Sequence, residues 1–305
     1  MYEKNIIYER MRRYRMKGRL FKDAAMAAET SFRIGGPADI LFFPDSIAEV
    51  VRVVKLCRRE GIPLTTLGNG TNVLIRDGGV RGIVLKLTEL CALRREREHI
   101  YAGAGASLTD ICSYAMDCGL SGLEFACGIP GTAGGAVCMN AGAYGGEMKN
   151  VIYRSVVLDP KGSIGICDNT GHGFKYRGSV FHENGNIILE TEFILTPAEQ
   201  GEISTMMDEY NARRAAGQPL DMPSAGSVFR RPPEEGVYIG PLIEQCGLKG
   251  AGAGGARVSE KHAGFIVNGG GATASDVLNL IERVREEVWR RFSIDLVTEI
   301  RVIGV

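Results

Sequence analysis

Eight glycines and five alanines crowd the 25 residues 122–146, and no other stretch limits the fold as severely. It reads Gly128-Ile129-Pro130-Gly131-Thr132-Ala133-Gly134-Gly135-Ala136, then Asn140-Ala141-Gly142-Ala143-Tyr144-Gly145-Gly146. Few of these side chains are large enough to build a core. Glycine is used where φ must be positive or where something must approach the backbone closely. Two readings stay open, a flexible loop and a backbone wrapped around a flat or extended ligand. Pro130, with the embedded Ile129, Val137 and Met139, argues against flexibility. A second loop is equally distinctive: Leu67-Gly68-Asn69-Gly70-Thr71-Asn72-Val73-Leu74-Ile75. Strand-like residues run into two near-adjacent glycines, which let backbone N–H groups converge on an anion, with Thr and Asn adding side-chain hydrogen bonds. An ordinary tight turn is the competing reading. No helix follows and no third glycine completes a dinucleotide fingerprint, and Gly-Lys-Ser/Thr is absent, so neither nucleotide motif of that kind applies. Two such loops in successive domains suggest one shared ligand.

Composition excludes several classes. Glycine makes up 41 of 305 residues, about twice the usual share, yet without the three-residue period of collagen. Lys plus Arg and Asp plus Glu are 36 each, and 45 % of residues are hydrophobic. Such a chain is too apolar to be disordered and has no net positive charge for non-specific nucleic-acid binding. No stretch reaches the ~18–20 apolar residues of a membrane span. Residues 1–20 hold seven Lys/Arg and read as a basic, mostly helical extension, solvated on one face or in contact with an anionic ligand or membrane. The eight cysteines form no C-x-x-C pair and are expected as reduced, mostly buried thiols in a cytoplasmic protein, with no disulfide framework and no metal site.

Periodicity organises the rest. Residues 46–61 form an amphipathic helix, with Ser46 and Glu49 as a capping box and Gly61 and Pro63 as the stop. Strand-like runs 39–43 and 63–67 flank it, followed by runs 72–75 and 82–87 across the turn Asp77-Gly78-Gly79. A short helix 107–119 is capped by Ser107 and stopped by Gly119. Runs 99–102, 151–158, 163–168, 179–181 and 187–195 read as strands. Helices are expected at 202–217, near 239–246 and at 273–292, the last with a Glu286/Arg290 pair. Runs 258–260, 263–268 and 296–305 complete the strands. No block repeats at a fixed period.

Together with motifs elsewhere in the chain, the two loops resemble the UDP-N-acetylenolpyruvoylglucosamine reductase (UDP-N-acetylmuramate dehydrogenase) family. The match begins at Thr30-Ser31-Phe32-Arg33-Ile34-Gly35-Gly36-Pro37-Ala38. It continues in order through Gly68-Asn69-Gly70-Thr71-Asn72, residues 128–136, Tyr176-Arg177, Ala225-Gly226-Ser227-Val228-Phe229 and residues 259–268, to Thr298-Glu299-Ile300-Arg301. Each motif is weak alone; the ordered set covers nearly the whole chain. The resemblance implies an α+β fold: a two-part FAD-binding region of the vanillyl-alcohol-oxidase (PCMH) type plus a C-terminal α+β substrate-binding domain, in the compact form without a substrate-lid insertion. The corresponding division is 1–90 and 91–200 for the two FAD-binding subdomains, 201–293 for substrate binding, and 294–305 as a closing strand.

The resemblance also implies a reaction. NADPH reduces non-covalent FAD, and a hydride then reaches the enolpyruvyl double bond of a nucleotide sugar, a step of peptidoglycan precursor synthesis. Charge develops beside a carboxylate and must be met by placed cations and a proton. By motif match Ser227 is the proton donor, Arg177 holds the substrate carboxylate, and Glu299 stabilises the intermediate or orients Arg177. Read alone, Ser227 is a turn serine and Arg177 a surface residue, whereas a buried strand Glu between apolar neighbours is costly without a task. FAD is expected on Gly68, Asn69, Gly70, Thr71 and Asn72 and on Gly131, Thr132, Gly134, Gly135 and Ala136, with its pyrophosphate on backbone N–H groups. Tyr144, Tyr176, Arg231, Lys249 and His262 are expected to bind the nucleotide sugar. Gly178 after Arg177, and the small-residue run 250–255 after Lys249, depart from the family pattern. The protein is expected to be a monomer or weak oligomer with no nucleic-acid partner. The alternatives are an FAD oxidase of the same fold acting on another substrate and a non-catalytic flavin or nucleotide-sugar binding module.

Overall fold

The computed structural model describes residues 3–14, 16–234 and 236–305. Contacts divide the chain into two compact units. The first comprises residues 1–22, 39–69 and 82–214; the second comprises 23–38, 70–81 and 215–305.

Two larger sheets lie mainly in the first unit. One is four-stranded, in the order Arg19–Ala25, Pro37–Phe43, Val80–Lys86, Leu64–Leu67, with Leu64–Leu67 parallel to Val80–Lys86. Helix Ile47–Glu60 buries Val50, Val53, Val54 and Cys57, which join Ile40, Phe42, Ile83 and Leu85 in one core. Gly61 ends this helix at φ +64°, where a Cβ would be strained. Its start differs from the expected capping box. Ser46 makes no side-chain cap, because buried Glu49 accepts instead from the N–H groups of Asp45, Lys17 and Gly18. The other sheet is antiparallel, in the order Ile164–Asp168, Ile152–Leu158, Ile187–Ile194, His99–Gly103, Leu93–Glu96. Helix Leu108–Asp117 starts where expected, with Ser107 Oγ accepting from Asp110 N at 3.0 Å. The run 179–181 is not a strand: Val180–His182 forms a 3₁₀ turn.

The N-terminal extension is helical over Lys4–Arg13 and buries Ile7 and Met11, while Arg10 pairs with Glu60 at 2.7 Å. It is an amphipathic helix packed on the first unit; Met1, Tyr2 and Arg15 lie outside the described residues. All eight cysteines are free, but only Cys57, Cys112 and Cys127 are buried, fewer than expected.

The second unit holds the sheet Ser224–Ser227, Phe265–Asn268, Ala256–Val258, Gly252–Ala253, and Val73–Ile75 runs parallel to Arg301–Ile303. Helix Ala274–Phe292 buries Val277, Leu280, Ile281, Val284 and Val288 against Phe32, Leu74, Phe229 and Ile300. Thr273 and Asp276 form a capping box at its start. Asp77 adds a second cap from outside, accepting from Ala274 N at 2.7 Å and from Ser275 N and Oγ at 3.0 and 2.6 Å. On the exposed face Arg290 pairs with Glu287, not the expected Glu286. The closing strand is shorter than expected, covering only Arg301–Ile303. Three of the four glycines of 250–255 have an internal reason. A Cβ at Gly250 would strike Glu260, at Gly254 Asp276, and at Gly255 the backbone of residues 270–272. The run folds into a tight hairpin under the start of helix Ala274–Phe292.

Candidate active site

In the first unit the glycines of the expected flavin loops separate into two kinds. A Cβ at Gly68 would collide with Thr132 Oγ1, and one at Gly134 would press on Ala104. These two are glycine because the protein's own packing leaves no room. At Gly131 a Cβ would meet only Leu108 and Ile129 at 3.7 and 3.8 Å, and at Gly135 only Thr132 Oγ1 at 3.4 Å. Neither has a positive φ, so nothing inside the protein requires glycine there. Thr132 caps helix Ala133–Met139, its Oγ1 accepting from Gly135 N at 3.4 Å. The N–H groups of Ala133, Gly134 and Ala136 are also engaged, with Ala106 O, Ala104 O and Thr132 O. The N–H groups of Asn69, Gly70 and Thr71, by contrast, donate to no acceptor among the described residues. The expected pyrophosphate donors in 133–136 are therefore used internally, and those of 69–71 remain open. Asn69 is fixed by donating from Nδ2 to Pro130 O at 3.1 Å.

Arg177 sits at the tip of a tight turn closed by Lys175 N to Gly178 O at 2.9 Å and Gly178 N to Lys175 O at 3.2 Å. Its φ is +52°, a costly conformation for a residue with a Cβ. Its Nη2 donates to Gly142 O at 2.9 Å. Its guanidinium lies 5.1 Å from the ring of exposed Tyr176. Tyr144, also at positive φ, stacks on Tyr210 at 4.4 Å and donates to its carbonyl.

The second unit gathers another set. Ser227 ends strand Ser224–Ser227, whose pairing slips by a bulge where Gly226 adopts φ +79°. The bulge turns Ser227 Oγ toward Phe229 O, at 3.2 Å. Directly beyond it Glu299 N donates to Val228 O at 2.7 Å, so Ser227 and Glu299 are joined by one residue of backbone ladder. Glu299 precedes the closing strand and is half-buried, not the buried strand residue expected. Asn72 Nδ2 donates to Glu299 O at 3.2 Å, and Arg301 N donates to Asn72 O at 3.0 Å. The loop residue Asn72, Glu299 and Ser227 thus share one framework. Ser31 ties it further, its Oγ donating to Ser224 O at 2.6 Å while its N–H reaches Gly70 O.

The remaining substrate candidates scatter over this unit. His262 Nδ1 accepts from Gly264 N at 3.1 Å, and burial, with the charge of Lys249 adding, holds it below the ordinary histidine range. Lys249 pairs with Glu244 at 2.8 Å. Arg231 donates to Val237 O and covers the ring of Tyr238.

Residues 38–168 match the family described as "FAD binding domain", and residues 218–303 match "UDP-N-acetylenolpyruvoylglucosamine reductase, C-terminal domain". The UDP-N-acetylenolpyruvoylglucosamine reductase of Clostridium botulinum (strain Hall) is 48 % identical over 282 residues, 92 % of this chain and 92 % of that protein. The chain belongs to the UDP-N-acetylenolpyruvoylglucosamine reductase family. The reductase of Caldanaerobacter subterraneus subsp. tengcongensis is 47 % identical over 299 residues, 98 % of each chain. The crystal structure of the Thermus caldophilus reductase aligns with a TM-score of 0.82 at 34 % identity, covering 95 % of this chain and all of that one. The expected fold, an FAD-binding region followed by the reductase C-terminal domain, is borne out.

Within this reductase framework, sequence reasoning did not find Asn140 and Glu147. Asn140 is fully buried and left-handed at φ +43°. An Asn directly after a short helix is the one local signal for such a cap, but its partners lie up to 35 residues away. No described helix is long and apolar enough to cross a membrane.

Proposed function

We propose that the chain reduces the enolpyruvyl group of UDP-N-acetylglucosamine enolpyruvate to UDP-N-acetylmuramate, with Arg177, Ser227 and Glu299 as its catalytic residues. The observation that carries the residue assignment is the joining of Ser227 to Glu299 through Val228 O, in a chain 48 % identical to a named reductase. The FAD-binding region comprises 1–90 and 91–200, the substrate region 201–293, and 294–305 carries Glu299. FAD, when bound, would supply the chemistry of hydride transfer from NADPH to the double bond of the substrate.

Every other contribution comes from side chains and backbone. Gly131 and Gly135 would give the flat cofactor room, and the N–H groups of Asn69, Gly70 and Thr71 would hold its pyrophosphate. Arg177, a planar fork, pairs with the substrate carboxylate and meets the charge that grows beside it. Ser227 leaves its bond to Phe229 O and gives its proton to C2. The hydroxyl is a weak acid, sufficient because the carbanion-like centre is a strong base. Glu299, held by two backbone bonds, is assigned to stabilising the intermediate or orienting Arg177. Tyr144, Tyr176, Arg231, Lys249 and His262 contribute to the nucleotide sugar. The protein acts as a cytoplasmic monomer or weak oligomer.

The test is a pair of half-reactions. Purified protein should show a flavin spectrum and turn over NADPH catalytically only when UDP-N-acetylglucosamine enolpyruvate is present. Ser227→Ala should keep reduction by NADPH and slow reoxidation by substrate by at least about 10³-fold, roughly 4 kcal/mol. Equal loss in both halves refutes the proton-donor role. Turnover with oxygen alone favours an oxidase.

A further inference from the structure

Asn140 is a buried amide whose three bonding groups are all engaged. Its Nδ2 donates to Glu147 Oε2 and to Lys175 O, both at 3.0 Å, and its Oδ1 accepts from Lys149 N at 3.0 Å. As a cap for helix Ala133–Met139 alone, glycine would fit the left-handed φ with less strain. The side chain therefore serves what it touches. Lys175 is the base of the turn that carries Arg177 at its tip. Glu147 is paired in register with Gly142, and Gly142 O is the acceptor for Arg177 Nη2. One amide thus fixes both the turn that presents Arg177 and the hairpin that receives it.

We propose that Asn140 and Glu147 are positioning residues for Arg177, holding its guanidinium in one orientation toward the carboxylate of the enolpyruvyl substrate. The proposal rests on Arg177 being the partner of that carboxylate. Arg177 pays for its orientation with a strained φ, and a long side chain on a two-residue tip has rotamers to lose. Asn140 removes the turn's freedom, and the Glu147 carboxylate supplies a fixed negative charge. Burial alone would raise the Glu147 pKa, but Lys149, the Asn140 amide and Arg177 hold it below the ordinary carboxylate range, so the charge persists at neutral pH. Gly178 closes the turn through its own N–H and C=O, and nothing in the structure explains why that position is glycine.

A double-mutant cycle on the FAD-loaded protein tests this. Substrate affinity is read from the change in the flavin absorbance on titration, and the substrate half-reaction from reoxidation of the reduced flavin. Asn140→Ala should weaken substrate binding and slow reoxidation by at least about tenfold, with NADPH reduction of the flavin changed less than twofold. In an Arg177→Ala background the same substitution should change either quantity by less than twofold, because the group it positions is gone. The same tenfold loss in both backgrounds means a merely structural role and overturns the proposal, as does an unchanged Asn140→Ala enzyme. If Arg177→Ala itself reoxidises at the wild-type rate, the assignment of Arg177 fails and this proposal with it. Should Asn140→Ala not fold, Glu147→Gln, whose amide oxygen still accepts from Asn140, is carried through both backgrounds under the same criterion.

Discussion

A single methyl group would distinguish glycines that serve the fold from those proposed to serve the flavin. Gly135→Ala adds a Cβ where only an ordinary contact exists, inside a helix where alanine is favoured by about 0.5–1 kcal/mol. The flavin-free protein should therefore melt at the same or a higher temperature, while FAD titration shows weaker binding. Gly68→Ala should fail both ways, since its Cβ strikes Thr132 Oγ1 and disturbs the helix cap. Calorimetry of the apoprotein beside a flavin titration separates the two. At this scale the sequence was legible where a residue's meaning is local: Gly226 and Ser227 in one turn, Gly68 to Asn72 in one loop. Asn140 was not, because its amide is explained only by Lys175 and Glu147, which the fold brings to it.

Elements start and stop as their caps dictate, and the caps make measurable contributions. Asp77 accepts three hydrogen bonds at the first turn of helix Ala274–Phe292. Burial raises its pKa, yet those bonds outweigh it and hold the carboxyl below its ordinary value. Asp77→Ala should cost about 1 kcal/mol of stability at pH 7. The cost should disappear as pH falls through the folded-state pKa of Asp77, because protonation already removes the charge. Acid and neutral melting curves of the two proteins check both halves. His172 gives the opposite chemistry with the same sign. It is fully buried, bonded to Ser155 Oγ at 2.9 Å and to Asp168 O, and stacked on Phe174. Burial holds its pKa below the ordinary histidine value, so below about pH 6.5 the unfolded chain binds the proton first. Stability should fall as pH drops below that point, and His172→Gln should flatten the fall in denaturant titrations run below about pH 6.5. Ser107 was readable as a cap because its partner lies three residues on. Ser46 was not, because Glu49 is claimed by Lys17 and Gly18 from another stretch of chain.

For the whole molecule, 36 cations balance 36 anions. In the proposed site, phosphates would be met by backbone N–H groups and a few placed side chains, not by a basic surface. With a sequence pI near 6.9, mutual repulsion is least near neutral pH, so solubility measured by polyethylene glycol precipitation should have its minimum there and rise on either side. The family, and with it the order of the two regions, was legible from motifs in sequence. The division into compact units was not, because it depends on pairings such as Val73–Ile75 with Arg301–Ile303 that no local pattern announces.

The second unit is assembled from residues 23–38, 70–81 and 215–305, and this has a consequence during synthesis. Phe32, Ile34 and Leu74 leave the ribosome early, yet their core partners Val277, Leu280, Val284 and Ile300 are made more than 200 residues later. At about 5–20 residues per second, these apolar side chains wait ten seconds or longer, while the first unit has all its segments once residue 214 is out. A nascent chain stalled before residue 274 should carry a protease-resistant first unit and exposed, chaperone-accessible segments around Phe32 and Leu74.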